Sequence, residues 1–574
     1  MRKRADINSV INWKNSLVWT SMLFLVAACS PENNREEELA DPKNNNNIEE
    51  ENAREELEEE NLQEDTDESE KQPEEEYSYG VSAGHPAAVD AGMSVLEDGG
   101  TAVDAAIAAA FAVSVVEPFA SGIGGGGSAL VHEQGENPQA YDYREVVPEE
   151  GIPASDTGVP GFTAGMGELH EDYGSTAWET LLDPAVSAAE STEVSELLAQ
   201  QFVSGQSRLP VDQLPHFYPG GNPLNAGETL EQEELAETLQ TIQQEGPEAF
   251  YEGAVGEALT ENIEGMDQNS LSSYEVGRHD PVQGEVFGYE VIGAAPPLPG
   301  MSVIQMLQIM EEKGAGEVER TSTEFIHTGA MAWRAAFQYL ETDAGDPDFV
   351  DVPVEEVTDP ERNAELAEEI SEDSLLEVNE SESYGGIDPN TTHINVVDSE
   401  GTIVSMTNTL TNFWGSGEYT SGFFLNNQMA RFSIGRGENN EPEPGRRSIT
   451  WSSPMLLADE EGPVLGIGSP GGERIPLMLA QVITDWSSGE TSMEEAVEAP
   501  RFHLDGSDLI FEEMPGTEQQ EALRSIGYAE IREQPTPLYF GSIQMVGINR
   551  EREDIEGGVD ARRESTWRSE SSEE

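Results

Sequence analysis

Two stretches of the chain bring polar, reactive side chains to a useful spacing. The first runs Asn390-Thr391-Thr392-His393-Ile394-Asn395-Val396-Val397-Asp398-Ser399-Glu400-Gly401-Thr402-Ile403-Val404-Ser405-Met406-Thr407-Asn408-Thr409. Two alternating, β-branched runs flank Asp398 to Gly401, which predicts a hairpin. A three-residue loop, Ser399-Glu400-Gly401 with Gly401 left-handed, sets Thr391 opposite Thr409, their Cβ atoms about 5 Å apart. One face then carries Thr391, His393, Asn395, Ser405, Thr407 and Thr409, and the other Ile394, Val396, Val404 and Met406. A solvated hairpin has the same two faces. The second stretch, Gly468-Ser469-Pro470-Gly471-Gly472, follows a strand-like run and precedes a helical one, Pro476 to Trp486. Backbone N–H groups there suit an anion or an oxyanion, and an ordinary tight turn is equally consistent.

Other candidates are weaker. Gly122 to Gly127 resembles a phosphate loop in glycine content, yet it follows a helix and lacks the Gly-Lys-Ser/Thr ending. Close backbone packing is its expected use. The eight histidines lack a His-x-x-x-His pair and cysteine partners, so no zinc site is expected. Charge excludes a broader class. The chain has 28 Lys+Arg against 114 Asp+Glu, a net charge of −86, and nucleic-acid affinity needs the opposite sign. Only five of the basic residues are lysines, and Lys313 is the sole one beyond Lys71. Arginine keeps its charge at alkaline pH where lysine starts to lose it, so the balance suits a salty or alkaline medium.

The elements that must position these groups occupy part of the 574 residues. Arg2, Lys3, Arg4 and Lys14 precede an apolar run, Leu17 to Ala28, with the make-up of a secretory signal over residues 1–28. Val26-Ala27-Ala28-Cys29 resembles the bacterial lipoprotein box, which implies lipidation of Cys29, the only cysteine. Residues 29–78 are rich in Asn and Glu and read as an extended acidic tether. A body with mixed helices and strands follows to Arg563, with an acidic tail over 564–574. The body opens with a helix from Pro86 to Asp98, stopped at Gly99-Gly100. A second is capped by Thr101 and Asp104 and ends before Pro118.

Thr391-Thr392-His393, the strand returning to Thr409 and Ser469-Pro470-Gly471-Gly472 together resemble the γ-glutamyltranspeptidase family. Ala102-Val103-Asp104-Ala105-Ala106, Gly124 to Gly127, Tyr143-Arg144-Glu145, Pro160-Gly161, Leu425-Asn426-Asn427-Gln428-Met429 and Gly557 to Arg563 follow in that family's order. The resemblance implies an α+β fold, the four-layer αββα sandwich of N-terminal-nucleophile hydrolases. It implies one precursor cut between Asn390 and Thr391 into a large subunit (79–390) and a small one (391–563). The acidic segment 354–390 would then be a mobile linker. A threonine hydroxyl needs a base, and the α-amine freed by the cut supplies one. Thr391 would attack a γ-glutamyl amide, Thr409 would orient it, and Gly471 and Gly472 would hold the oxyanion. The acyl group would pass to water or an amine acceptor, with no cofactor and no metal. Arg144 matches the clamp on the donor's α-carboxylate.

Three departures fall in the donor pocket, among residues matched to Thr411, Gln428, Arg431, Thr450 and Trp451. After Asn427-Gln428-Met429 the family's Asp for the donor ammonium is replaced by Ala430-Arg431. Its paired serines are Thr450-Trp451, and its Asn two residues after the second threonine is Thr411. An internal residue of poly-γ-glutamate has no free ammonium and keeps its carboxylate, so Arg431 suits the polymer better than glutathione. Two other outcomes are an inactive surface lipoprotein that binds γ-glutamyl compounds and a β-lactam side-chain acylase. Membrane contact is expected only through the lipid of an exported, outward-facing protein.

Overall fold

The computed structural model describes residues 78–378, 389–433, 438–550 and 552–570. The signal segment, Cys29 and nearly all of the acidic tether lie outside the described residues.

The chain enters as strand β1 (Tyr79–Ala83) and turns into helices α1 (Pro86–Glu97) and α2 (Ala102–Val116). His85 caps α1, which stops just before Gly99 takes φ +85°. Thr101 and Asp104 form the expected reciprocal cap on α2, whose 15 residues are all buried. Alanines and small aliphatics allow that, because short side chains let neighbours approach every face. Strands β2 (Gly126–His132) and β3 (Gln139–Asp142), helix α3 (Trp178–Glu190) and strand β4 (Gly277–His279) complete the first pass. The chain then builds β5 (Val282–Val286), β6 (Tyr289–Gly293) and helices α4 (Gly300–Glu312), α5 (Thr323–Thr342) and α6 (Pro360–Glu369). It returns as the hairpin β7 (Pro389–Val397) and β8 (Ile403–Asn412). Strands β9 (Met455–Asp459) and β10 (Gly462–Gly468), helices α7 (Ile475–Ser487) and α8 (Met493–Glu498), and strands β11 (Gln544–Asn549), β12 (Asp554–Gly558) and β13 (Thr566–Glu570) follow.

In space the first sheet runs β13-β1-β7-β8-β2-β3-β4 and the second β12-β11-β10-β9-β6-β5. Ile394, Val396, Val404 and Met406 turn outward into a core shared with α1, α2 and α3. The second sheet buries its outer face against α4, α5, α7 and α8. Strands β7 and β8 meet β10 and β11 between the layers, so the order is helix, sheet, sheet, helix. This is the expected αββα sandwich.

The hairpin loop forms as expected, with Gly401 at φ +83°. Its polar face is not solvated. His393, Asn395, Ser405 and Thr407 are fully buried between the sheets, where each polar atom needs a partner. Asn395 Nδ2 donates to the Gln544 carbonyl at 2.9 Å, which leaves Oδ1 to accept from His393 Nε2 at 3.0 Å. His393 Nδ1 then accepts from Thr407 Oγ1 at 2.7 Å. Burial pushes this imidazole down to about 3, so it stays neutral. The run Gly124 to Gly127 serves backbone approach, since a Cβ there would lie 2.1–2.5 Å from carbonyl oxygens of Phe424, Thr409, Tyr143 and Thr407.

Two boundaries move. The expected tail from 564 begins with a strand: β13 pairs along β1, and Arg568 reaches Asp90 and Glu97 on α1. Acidic composition hid this, because Thr566 and Trp567 are its only β-favouring residues. The segment 354–390 is not a loop throughout. Within α6, Asn363 is fully buried, bonded to Gln305 and Gln308, and Ala367 and Ile370 join the core. Residues 379–388 lie outside the described residues. Gly80-Val81-Ser82-Ala83-Gly84 has the spacing of a nucleophile elbow, but Ser82 sits inside β1, paired with Asn395 and Trp567.

The inter-sheet seam yields a stability prediction. A Cβ on Gly468 would lie 2.1 Å from His393 Cε1. Gly468→Ala is expected to cost about 2 kcal/mol or more, read as a lowered thermal midpoint.

Candidate active site

The reacting segment is shaped by a break in strand register. Partners run regularly from Ile403–Val397 to Asn408–Thr392, then resume one residue out of step at Thr411–Asn390. Thr409 and Leu410 therefore face Thr391 alone, as in a β-bulge. Thr411 emerges at φ +80°, a left-handed conformation that a β-branched residue adopts only when its surroundings hold it there.

The bend aims three groups at one oxygen. Thr411 N–H donates to Thr409 Oγ1 at 2.8 Å. Thr409 Oγ1 donates its single proton to the Asn390 carbonyl at 2.7 Å. Thr391 Oγ1 lies 3.2 Å from the same hydroxyl and must be the donor there, because Thr409 has no second proton. The Asn390–Thr391 carbonyl is thus polarised in the uncut chain, and the Thr391 proton already points away from it. Asn390 is fully buried, its side chain held by the Phe119 carbonyl at 3.0 Å and Arg563 Nη1 at 2.9 Å.

Thr391, Thr409, Thr411, Gln428, Arg431, Thr450, Trp451 and Gly472 line one small cavity together with Ser452 and Ile475. Its volume of about 10 Å³ leaves room for little more than one water. Gly472 stands at φ +62° and Gly471 at φ +142°, in the turn that leads into α7. Thr411 Oγ1 donates to Gln428 Oε1, and Gln428 Nε2 donates to Ser448 Oγ at 3.0 Å, which fixes the cavity's amide wall. Trp451 stacks on Phe337 with centroids 5.9 Å apart and planes 11° from parallel. Arg431 is 5% exposed and donates no side-chain hydrogen bond among the described residues. Burial pushes its guanidinium down to about 10 against the pull of Glu473, so it remains a cation at neutral pH.

Arg144 is placed differently. It does not line the cavity, and its guanidinium grips Asp142 through Nε at 2.9 Å and Nη2 at 2.5 Å. Its third donor, Nη1, reaches the Ser448 carbonyl at 2.8 Å, so Arg144 stands one residue behind the Gln428 wall. Burial pushes Asp142 up, and Arg144 with Arg447 more than offset this, holding the carboxyl below its usual range. Sequence reasoning passed over Arg563, whose Nη1 also donates to the Thr391 carbonyl at 3.2 Å. The signal was its place at the end of the Gly557 to Arg563 motif.

Known proteins resemble this chain over most of its length. The gamma-glutamyltranspeptidase family model matches residues 88–568. The chain belongs to the γ-glutamyltranspeptidase family. It is 38% identical over 496 residues to the capsule biosynthesis protein CapD proenzyme of Bacillus anthracis, covering 86% of this chain and 91% of that one. The glutathione hydrolase proenzyme of Bacillus subtilis is 29% identical over 84% of this chain and 90% of its own. The cephalosporin acylase structure from Bacillus halodurans has the same fold, with a TM-score of 0.78 over 86% of this chain and 96% of that one at 23% identity. As a member of this family the chain is an autoprocessed γ-glutamyltransferase and hydrolase, made as one precursor and cut into two subunits.

The hydrogen-bond hub yields a maturation prediction. Thr409→Val keeps the shape and removes the proton donated to Asn390. It is expected to slow cutting by roughly 100-fold, read as one persistent band on a denaturing gel, while Thr409→Ser still matures.

Proposed function

We propose that the precursor is cut before Thr391 and that Thr391 then cleaves internal γ-glutamyl bonds of poly-γ-glutamate. The observation that carries the substrate reading is Arg431, a buried cation in the cavity of the two threonines whose Nε has no hydrogen-bond partner among the described residues. A buried cation of this kind calls for an anion. The polymer offers a carboxylate on every residue, and an internal residue has no ammonium for Arg431 to repel. The likeness to a Bacillus anthracis protein named for capsule biosynthesis supports the same reading.

In maturation the Thr391 hydroxyl attacks the Asn390 carbonyl carbon, polarised by Thr409. The new C–O bond forms as the C–N bond breaks, and the hydroxyl proton ends on the Thr391 nitrogen. Water then hydrolyses the ester, leaving a carboxylate on Asn390 and a free α-amine beside a free hydroxyl. In turnover that amine accepts the hydroxyl proton while Thr391 attacks the γ-carbonyl. N–H groups of Gly471 and Gly472 hold the oxyanion, and Thr409, released from Asn390, orients the amine. The departing amine takes the proton, and water or an amine acceptor resolves the acyl-enzyme. Arg431 binds the carboxylate of the reacting residue, with Trp451 as the wall opposite. Arg144 acts from behind that wall by setting Ser448 and Gln428.

Export as a lipoprotein anchored through Cys29 belongs to the same proposal. Cys29→Ala is expected to move the protein from the membrane fraction to the medium.

A net charge of −86 repels a polyanion, and added salt shortens that repulsion to roughly 3 Å at 1 M. The polymer's kcat/KM is therefore expected to exceed that for glutathione and to rise with salt. Arg431→Ala should lower it by roughly 10- to 100-fold with little change on glutathione. Thr391→Ala should leave one uncut chain and no turnover. Brisk glutathione hydrolysis without polymer cleavage overturns the substrate reading.

A further inference from the structure

One cation reaches the reacting segment without lining the cavity. Arg563 lies between β12 and β13 and is 9% exposed, and its Nη1 is shared between Asn390 Oδ1 and the Thr391 carbonyl. Its Nε has no hydrogen-bond partner among the described residues. The groups facing it come from several elements. Glu117 at the end of α2 is buried, with Oε1 unpartnered. Glu564 accepts the Leu197 N–H and faces His85. Asp560 is already bound by Arg501 at 2.6 Å and Arg562 at 3.1 Å. Arg474 adds a further positive charge. In the cavity stands Arg431, acted on by Glu473, and two residues along β7 from Thr391 lies the neutral His393.

We propose that Arg563 is a positioning residue whose fixed charge keeps the Thr391 α-amine, once cleavage has freed it, in its proton-accepting form at neutral pH. This rests on the reading of Thr391 as the processed nucleophile. An α-nitrogen lies within about 3.5 Å of its own residue's carbonyl oxygen, so a guanidinium bonded to that oxygen sits about 5 Å from the amine. A like charge at that distance disfavours the ammonium. Something must do so, because a chain with 114 acidic and 28 basic residues otherwise surrounds the amine with negative potential that favours the ammonium. The buried carboxyl nearest to Arg563 does not cancel it. Burial pushes Glu117 up to about 7 against the pull of Arg563, so near neutral pH its charge is only partly developed. Asp560 is shared by two other arginines. When Asn390 leaves, Arg563 loses one of its two acceptors and keeps the Thr391 carbonyl.

The test is the pH dependence of kcat/KM for a chromogenic γ-glutamyl anilide, whose acid limb reports the free enzyme's base. Arg563→Gln is expected to move the limb's midpoint up by about one unit, and Arg563→Lys to hold it within about 0.3 unit. Glu117→Gln, which removes a partly offsetting carboxyl, should move it down by a few tenths of a unit. A correctly cut Arg563→Gln enzyme with an unmoved limb overturns the proposal. Should that variant stay uncut, the other two decide, and a Glu117→Gln limb that does not move down overturns it. Amino-terminal sequencing of the wild-type small subunit separates this from the reading beneath it. A start other than Thr391 defeats the nucleophile assignment, whereas a shift failure in correctly cut enzyme defeats the role of Arg563 alone.

Discussion

The arrangement turns on one hydroxyl. Thr409 Oγ1 accepts from the Thr411 N–H and donates to the Asn390 carbonyl, so its proton has a single direction and Thr391 can only point its own proton inward. That geometry requires a bulge between two otherwise regular strands and a threonine held at φ +80°. A left-handed β-branched residue costs roughly 1–3 kcal/mol, which the surrounding sandwich must offset. It does so by burying the hairpin on both faces, in an apolar core outside and in a satisfied polar seam inside. Strain is thereby kept at the one place where it aims a donor.

Much of this was legible in residue order. The cap at Thr101, the stop at Gly99 and the hairpin loop at Gly401 follow from local rules, because each depends on a few neighbouring residues. The pairing of Thr391 with Thr409 was also legible, since a loop of known length sets a register. What a local reading misses is set by partners far away in sequence. The polar face of the hairpin reads as solvated until a second sheet, ending in Gly468, is laid over it. Arg144 reads as a ligand clamp, but Asp142, two residues before it, takes two of its donors. Residues 566–570 read as tail because their pairing partner lies at the opposite end of the body. Arg563 closes the Gly557 to Arg563 motif, but nothing in that motif says what it touches. Its importance comes from where the loop after β12 returns.

Charge is divided sharply between surface and interior. With so few lysines, the cations are nearly all arginines, and several of these are withdrawn into the protein: Arg144, Arg446 and Arg501 are at most 1% exposed. Most are matched, as in Asp142 with Arg144 and Arg447, or Asp560 with Arg501 and Arg562. Guanidinium suits this use because its fork can satisfy several acceptors at once. Arg431 departs from that pattern, and it does so inside the cavity of the two threonines. Glu473 offsets part of its burial, and its Nε, unpartnered among the described residues, leaves the charge short of hydrogen bonds that a bound anion would supply.

Closure of the cavity follows from the same economy of space. At about 10 Å³ it does not admit a glutamyl group in the uncut chain, in which Pro389 and Asn390 pair with Asn412 and Thr411. The proposed cut before Thr391 would remove the covalent reason for those two residues to stay. Their strand pairing is too short to hold them alone, and the charge of a new carboxylate on Asn390 has to be solvated. Their departure would cost the left-handed Thr411 its cross-strand neighbour and Thr409 its carbonyl acceptor. The bond whose cleavage is proposed to make the base is therefore also the one whose carbonyl ties down Thr409. On the proposed mechanism the uncut chain lacks two things that turnover needs, a free amine at Thr391 and room beside it for a donor.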